Sequence, residues 1–252
     1  MNIIEEYIQQ QTWRNWGQYF QEIPISKKDR VIDLGCSVGA VSDLLSKEVS
    51  SVVGIDSNLE FIDYCLSKSK PNQSYICQDF TKIDYASFAL TTGVWSSFSL
   101  SYLKDPNAFL KSIYQALEPQ GWIALVDVSN FISGNMLPEC KYFKLVRDFE
   151  NETSQSGNYD FSFGSKMERF LNEVGFEIIH VNNNVTDQEL NFEGAASPKI
   201  FENWRARLER MQGLRSKFPN IYPEIENEIL LSLQSERRHK NNSVRFVVAK
   251  KI

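Results

Sequence analysis

The sequence predicts an α/β fold, a parallel sheet covered by helices, with a helical insertion before the last strand. Two observations carry this. Strand-period and helix-period segments alternate through the first two thirds of the chain, the pattern of repeated β-α-β units. Two helical stripes then separate the sixth strand-like run from the seventh.

The elements follow in order. Near the N-terminus, "YIQQQTWRNWGQYF" sets Trp13, Trp16 and Phe20 near one helical face, flanked by Arg14 and Tyr19. This stripe either packs on the sheet edge or forms a lid over a site. Strands are expected at Arg30–Leu34, Ser51–Ile55, Ser74–Cys77, Thr92–Ser97 and Trp122–Val128. After the second strand, Ser57 with Glu60 three residues on reads as a capping box, and Leu59, Ile62 and Leu66 as the inner stripe. "DPNAFL" opens another helix: Asp105 caps, Pro106 suits the first turn, and Phe109, Ile113 and Leu117 face inward.

Beyond Val128, Tyr142, Leu145, Val146 and Phe149 keep helical spacing, and the polar "NETSQSGNYD" separates them from a helix carrying Met167, Phe170, Leu171 and Val174 that stops at Gly175. "FEIIHV" is the sixth strand and "VRFVVAKK" the seventh. Between them run the stripes Ile200, Trp204, Leu208, Met211 and Ile225, Ile229, Leu233, broken by "FPNIYP". The chain thus divides into an N-terminal helical lid (1–28), a core (29–185 and 241–252) and a helical cap insertion (186–240), all within one domain.

Composition narrows the function. The 252 residues are 42% hydrophobic and 13% aromatic, enough for a sizeable core. A net charge of −5 speaks against nucleic acid as a partner, because phosphate binding needs a basic face. No apolar run is long enough to span a bilayer, and the early acids do not form a secretory signal. Cys36, Cys65, Cys77 and Cys140 show no metal-ligand spacing, so no metal is expected and reduced thiols in a cytoplasmic protein are the plain reading.

The chemistry concentrates at "VIDLGCSVGA". A strand, a glycine turn and a helix place backbone N–H groups at the carboxyl end of the sheet, where open α/β folds bind ligands. Gly35 can take dihedrals forbidden to other residues. Two further acids fall at strand ends: Asp56, able to take both hydroxyls of a ribose, and Asp79, able to accept from an adenine amine. A dinucleotide would also use an acid near Asp56. Asp33, however, would crowd its pyrophosphate, since like charges repel in a partly desolvated cleft. The G-x-G-x-x-G spacing also fails at Ser37 and Ala40. A positively charged adenosine derivative fits better, with Ser37 as an N-cap of the following helix.

In order, "VIDLGCSVGAVSDLL", "VVGIDSNLEFIDYC", "CQDF", "GVWSSFSLSYLKDP", "ALEPQGWIALVDV" and "MERFLNEVGFEII" resemble the class I S-adenosylmethionine-dependent methyltransferases. The resemblance spans about Asp29 to Val181. It implies a Rossmann-like seven-stranded, mostly parallel sheet whose last strand is antiparallel, with S-adenosyl-L-methionine over the ends of the first and fourth strands. Carried over by position, Gly35, Cys36 and Ser37 would lie along the methionine part, with Asp33 near its amino group or its bound water. Asp56 would hold the ribose beside Ser57, Asp79 and Phe80 the adenine, and Trp95 and Ser96 would approach the methionine end.

Relatives often carry a His pair where this chain has Ser101 and Tyr102, so no local base is expected there. No Asn-Pro-Pro-aromatic segment is present, which disfavours a nucleobase amine as acceptor. His180 in a strand and His239 beside Arg237 and Arg238 read as structural and solvated, so no catalytic residue is assigned. Of Arg205, Arg207 and Arg210, any could meet an acidic substrate. Yet Glu202–Arg205 and Arg205–Glu209 have the spacing of surface pairs. The expectation is methyl transfer to a small-molecule acceptor, driven by proximity and orientation. A protein or RNA methyltransferase, and a non-catalytic cofactor-binding protein or one using the cofactor for other chemistry, are the alternatives.

Overall fold

The computed structural model describes residues 2–88, 90–241 and 243–252. Met1, Ala89 and Asn242, within the expected lid and core spans, lie outside the described residues. Seven strands form one sheet: β1 Arg30–Leu34, β2 Ser51–Asp56, β3 Gln73–Cys77, β4 Thr91–Ser97, β5 Leu117–Val128, β6 Phe176–Asn182 and β7 Val244–Lys251. Their spatial order is β3-β2-β1-β4-β5-β7-β6. The first five pair parallel with one another, whereas β7 runs antiparallel to β5 and β6 on either side of it. The strand order reverses between β1 and β4, the crevice where such sheets bind ligands.

Both faces of the sheet are covered, and β5 shows how. Trp122, Ala124, Val126 and Val128 belong to one apolar cluster, while Ile123 and Leu125 belong to the other. This is period-two alternation in a strand buried on both sides. The second face is packed by α5 (Pro106–Ala116) and α7 (Met167–Val174), through Phe109, Leu110, Ile113, Phe170 and Leu171. α1 (Ile3–Gln11) reaches Asn203 through Gln10, and the first face carries α2 (Gly17–Phe20) and α3 (Ala40–Leu45). It also carries α6 (Phe143–Ser156) and the insertion α8 (Pro198–Arg210), α9 (Gln212–Lys217) and α10 (Tyr222–Leu233). The remaining helix, α4, spans Leu59–Ser67.

Several expectations need correction. The Asn58 side chain, not Ser57, caps α4 by accepting from the Glu60 N–H at 2.9 Å. Phe61, Ile62 and Cys65 form the buried stripe of α4, leaving Leu59 and Leu66 exposed. Leu117 opens β5 rather than closing α5. The polar "NETSQS" continues α6, whose inner face buries Val146, Phe149 and Glu150 while the polar end stays at the surface. The N-terminal aromatics do not share one helix. The chain breaks between α1 and α2, yet Trp13, Trp16 and Tyr19 are all buried, and Trp16, Tyr19 and Phe20 meet the Trp95 ring at 5.9, 5.9 and 5.7 Å.

Candidate active site

The turn after β1 is built from backbone hydrogen bonds to β2. The Gly35 and Cys36 N–H groups both donate to the Ile55 carbonyl, at 2.8 and 3.0 Å. The next N–H, of Ser37, donates to the Asp56 carboxylate at 2.9 Å, and Asn58 N–H donates to its other oxygen at 2.9 Å. Gly35, Ser37 and Gly39 all have positive φ, at 70°, 49° and 72°. At Gly35 a Cβ would also lie 2.6 Å from the Ser99 Cβ, so glycine is required for both conformation and space. Ser37 does not cap: α3 starts only at Ala40, and the Ser37 Oγ is buried without a hydrogen-bond partner.

Asp33 is buried at the end of β1 and accepts from the Ser42 hydroxyl at 2.6 Å. Burial, helped by Asp56, pushes its carboxyl up to about 7 despite that bond. Asp79 follows β3 and takes the Thr81 N–H and hydroxyl at 2.9 and 2.7 Å, which hold its pKa below the ordinary value. Phe80 stands edge-on to Phe109 at 5.4 Å. Cys36 is buried under the turn; its thiol is pushed up by the neighbouring Cys65 and by burial.

One cavity of about 1400 Å³ gathers these residues. Asp33, Gly35, Cys36, Ser37, Asp56, Ser57, Asp79 and Phe80 all line it. Trp95 and Ser96 do not. β4 runs one residue beyond them, Ser96 pairs with Leu34 and donates to its carbonyl at 3.2 Å, and Trp95 is fully buried among aromatics. Ser97, Phe98 and Ser99 take the place expected for them at the cavity edge.

The cavity exceeds the ~300–1,000 Å³ usual for a single small ligand, because the N-terminal segment and the insertion extend it. Tyr7, Gln11, Arg14 and Trp16 line it from one side, and Phe131, Phe149, Tyr159 and Arg207 from another. A buried ionic cluster joins the two walls. Glu189, fully buried, pairs with Arg14 at 2.7 Å and with Arg207, and accepts the Asn203 amide at 2.6 Å. Burial works against the ionised Glu189, but Arg207 and Arg14 outweigh it and lower its pKa. Asp187 lies 3.5 Å from Arg14, and Arg210 reaches Glu6 of α1 at 2.6 Å.

Sequence reasoning missed Tyr7, Tyr159 and Glu189, whose partners lie far away in the chain. It did single out the arginines. Arg205 pairs with Glu202 on the surface at 3.1 Å, as a solvated face should, whereas Arg207 and Arg210 enter the cavity. Tyr102 is 66% exposed and borders the cavity against Tyr159, ring to ring at 4.8 Å. Ser101 donates to the buried Asp127 at 2.9 Å. His180 lies 3.2 Å from Glu22 and packs on Phe246, and His239 is exposed; neither lines the cavity.

A family described as "Methyltransferase domain" matches residues 32–125, from β1 through β5. The Bacillus subtilis (strain 168) protein named "Putative methyltransferase YqeM" is 25% identical over 234 residues, 79% of this chain and 93% of that protein. The family match over β1–β5 and the seven-stranded sheet support a class I S-adenosylmethionine-dependent methyltransferase. The methyltransferase superposes on an S-adenosylmethionine-dependent methyltransferase from Mesorhizobium loti with a TM-score of 0.55, at 18% identity over 93% of this chain and 96% of that one. It also superposes on the mycolic acid cyclopropane synthase CmaA1, solved with S-adenosylhomocysteine (SAH) and CTAB, with a TM-score of 0.60 at 12% identity, covering 93% of this chain and 82% of that one. S-adenosylmethionine is the methyltransferase's cofactor. Among the described residues no cluster of three metal-ligating side chains occurs, and no helix is long and apolar enough to cross a membrane.

Proposed function

We propose that this methyltransferase transfers a methyl group to a small-molecule acceptor bound beside the cofactor in the single large cavity. The supporting observation is the cavity itself. It is continuous from the Gly35 turn to the wall formed by Phe131, Phe149, Tyr159 and Arg207, with more volume than one ligand needs. On this reading residues 1–28 act as a lid, 29–185 with 241–252 as the catalytic core, and 186–240 as the cap over the acceptor.

The residues present suit the cofactor. Asp56 spends one lone pair of each oxygen on the turn and keeps the others for a pair of vicinal hydroxyls. Gly35 leaves room where a side chain would block the approach, and Asp33, anionic when deprotonated, suits a cationic amino group. Asp79 and Phe80 would flank the adenine, with Ser57 beside it; Cys36, Ser37 and the Ser97–Ser99 segment would border the methionine end. When bound, the sulfonium supplies the electrophilic methyl group.

The protein's part is alignment and exclusion of water, worth ~7–11 kcal/mol of barrier in well-oriented systems. Trp16 and Arg14 close one side, while Phe131, Phe149 and Tyr159 present an apolar surface on the other. The test is SAH formation from S-adenosylmethionine across a panel of small acceptors, run beside total cell protein and total RNA as acceptors. Turnover with small molecules alone supports the reading; turnover confined to protein or RNA contradicts it.

A further inference from the structure

Among the arginines that line the cavity, Arg207 is set apart by its aromatic platform. One edge of its guanidinium is fixed by Glu189, and its plane lies over the Phe131 and Trp204 rings, at 5.1 and 5.6 Å. Phe131 and Trp204 stack on each other at 5.4 Å, so the platform is rigid. The Arg207 Nε is buried and finds no hydrogen-bond acceptor among the described residues. The side chain is 24% exposed, and the residue lines the cavity.

Glu189 takes only one edge of this guanidinium, because it also pairs with Arg14 and accepts from Asn203. With Asp187 counted, the two arginines and two acids of the cluster balance in formal charge, so Arg207 offers directed donors on an aromatic platform rather than net charge. Asp187 lies against Arg14, and Arg210 has its own partner in Glu6. Arg14, by contrast, is committed elsewhere. Its two terminal nitrogens donate to Glu189 and to the Gln10 carbonyl at 2.7 and 3.0 Å, and its face lies over Phe98 at 4.9 Å. Phe98 directly precedes Ser99, which faces Gly35. The shared Glu189 thus ties Arg207 to the segment that borders the cofactor turn.

Three phenols, Tyr7, Tyr102 and Tyr159, line the same cavity, each within electrostatic reach of Arg207. Burial raises Tyr7 and Tyr159 above the ordinary phenol value, and these, with the hydroxyl of the exposed Tyr102, are able to donate. A planar guanidinium held by one edge on an aromatic platform at the cavity wall, among neutral hydroxyl donors and aromatic faces, is a receptor for an oxyanion on an apolar body.

Resting on the small-acceptor reading above, we propose that Arg207 recognises the acceptor, and that the acceptor carries an oxyanion, a carboxylate or phosphate, on an aromatic or otherwise apolar frame. The rival source of an oxyanion is the carboxylate of the cofactor's own methionine end.

The experiment uses the full chain saturated with SAH, titrated by calorimetry with benzoate, phenyl phosphate and benzamide. The wild type should bind benzoate or phenyl phosphate saturably and about tenfold or more tighter than benzamide, as a charge-assisted contact requires. Which anion binds better identifies the group. Arg207→Gln should abolish that preference while leaving SAH affinity within about twofold, and Arg207→Lys should restore part of it. Arg14 still pairs Glu189 in both variants, and a thermal melt checks folding; should Arg207→Gln fail to fold, the wild-type panel and Arg207→Lys still decide.

Absence of saturable anion binding, equal affinity for anion and amide, or a preference that survives Arg207→Gln overturns the proposal. So does a loss of SAH affinity in Arg207→Gln, which would assign Arg207 to the cofactor's carboxylate. Failure of the wild type to bind SAH at all would instead contradict the cofactor-site reading, independently of the anion arm.

Discussion

Replacing Asp56 by alanine removes one carboxylate that serves two structural bonds and faces the cavity. The Ser37 and Asn58 N–H groups, each held at 2.9 Å, would both lose their acceptor. A partly buried donor left without a partner costs ~1–3 kcal/mol, and charge-assisted bonds lie toward the upper end. The contacts proposed to the ribose hydroxyls vanish with the same side chain. Asp56→Ala should therefore weaken SAH binding by about 3 kcal/mol, roughly a hundredfold.

Ser37→Gly is the informative contrast. The substitution keeps the N–H that donates to Asp56, removes a hydroxyl that has no partner, and relieves a positive φ of 49°. Relief of that strain and the extra freedom of glycine in the unfolded chain are each of order 0.5–1 kcal/mol and opposite in sign. The Kd should stay within about threefold of wild type, a margin under 1 kcal/mol. Isothermal titration of both variants with SAH decides. Unchanged binding by Asp56→Ala, or a loss in Ser37→Gly as large as in Asp56→Ala, would refute the assignment of Asp56 to the cofactor.

Other outcomes follow from the same geometry. Arg14→Ala breaks a buried ion cluster and should cost about 3–5 kcal/mol, seen as a fall in Tm of roughly ten degrees or more; a Tm within two degrees of wild type contradicts it. Gly35→Ala meets both a positive φ of 70° and the Ser99 side chain, and should abolish detectable SAH binding while the far-UV circular dichroism stays native-like. Asp33, Asp127 and Glu150 all have carboxyls raised by burial to about 7, against 3.8 to 4.5 for the free groups. The folded state therefore holds protons that the unfolded chain releases, so these groups favour folding at low pH and lose that contribution as pH rises through 7. Tm should fall between about pH 4 and 7, and Asp33→Asn should flatten the slope; an unchanged slope in that variant contradicts the role of Asp33.

Much of the core is legible in local pattern. β1 occupies Arg30–Leu34 and α7 runs from Met167 to its stop at Gly175, because a short apolar strand and a strongly amphipathic helix with a glycine end are local signals. The antiparallel β7 agrees with what the resemblance implied, and the acids at the ends of β1, β2 and β3 do converge on one cavity. Register at the end of β4 was harder. Trp95 and Ser96 sit inside the strand, and the cavity edge begins at Ser97, a distinction set by pairing with β1 rather than by composition. The ionic cluster was illegible for a different reason: Glu189 meets Arg14 across 175 residues, and nothing local to "DQELNF" marks it. Arg205 and Arg207 are two positions apart on one helix and face different surroundings, so only the packing of α8 separates the surface arginine from the cavity one.

The most direct test of the central claim is the crystal structure of the full chain with SAH bound. The account predicts the ribose hydroxyls on Asp56, the adenine between Asp79 and Phe80, and the sulfur opening toward the chamber lined by Tyr159 and Arg207. A nucleoside bound away from the Gly35 turn, or a sulfur facing away from that chamber, would contradict it.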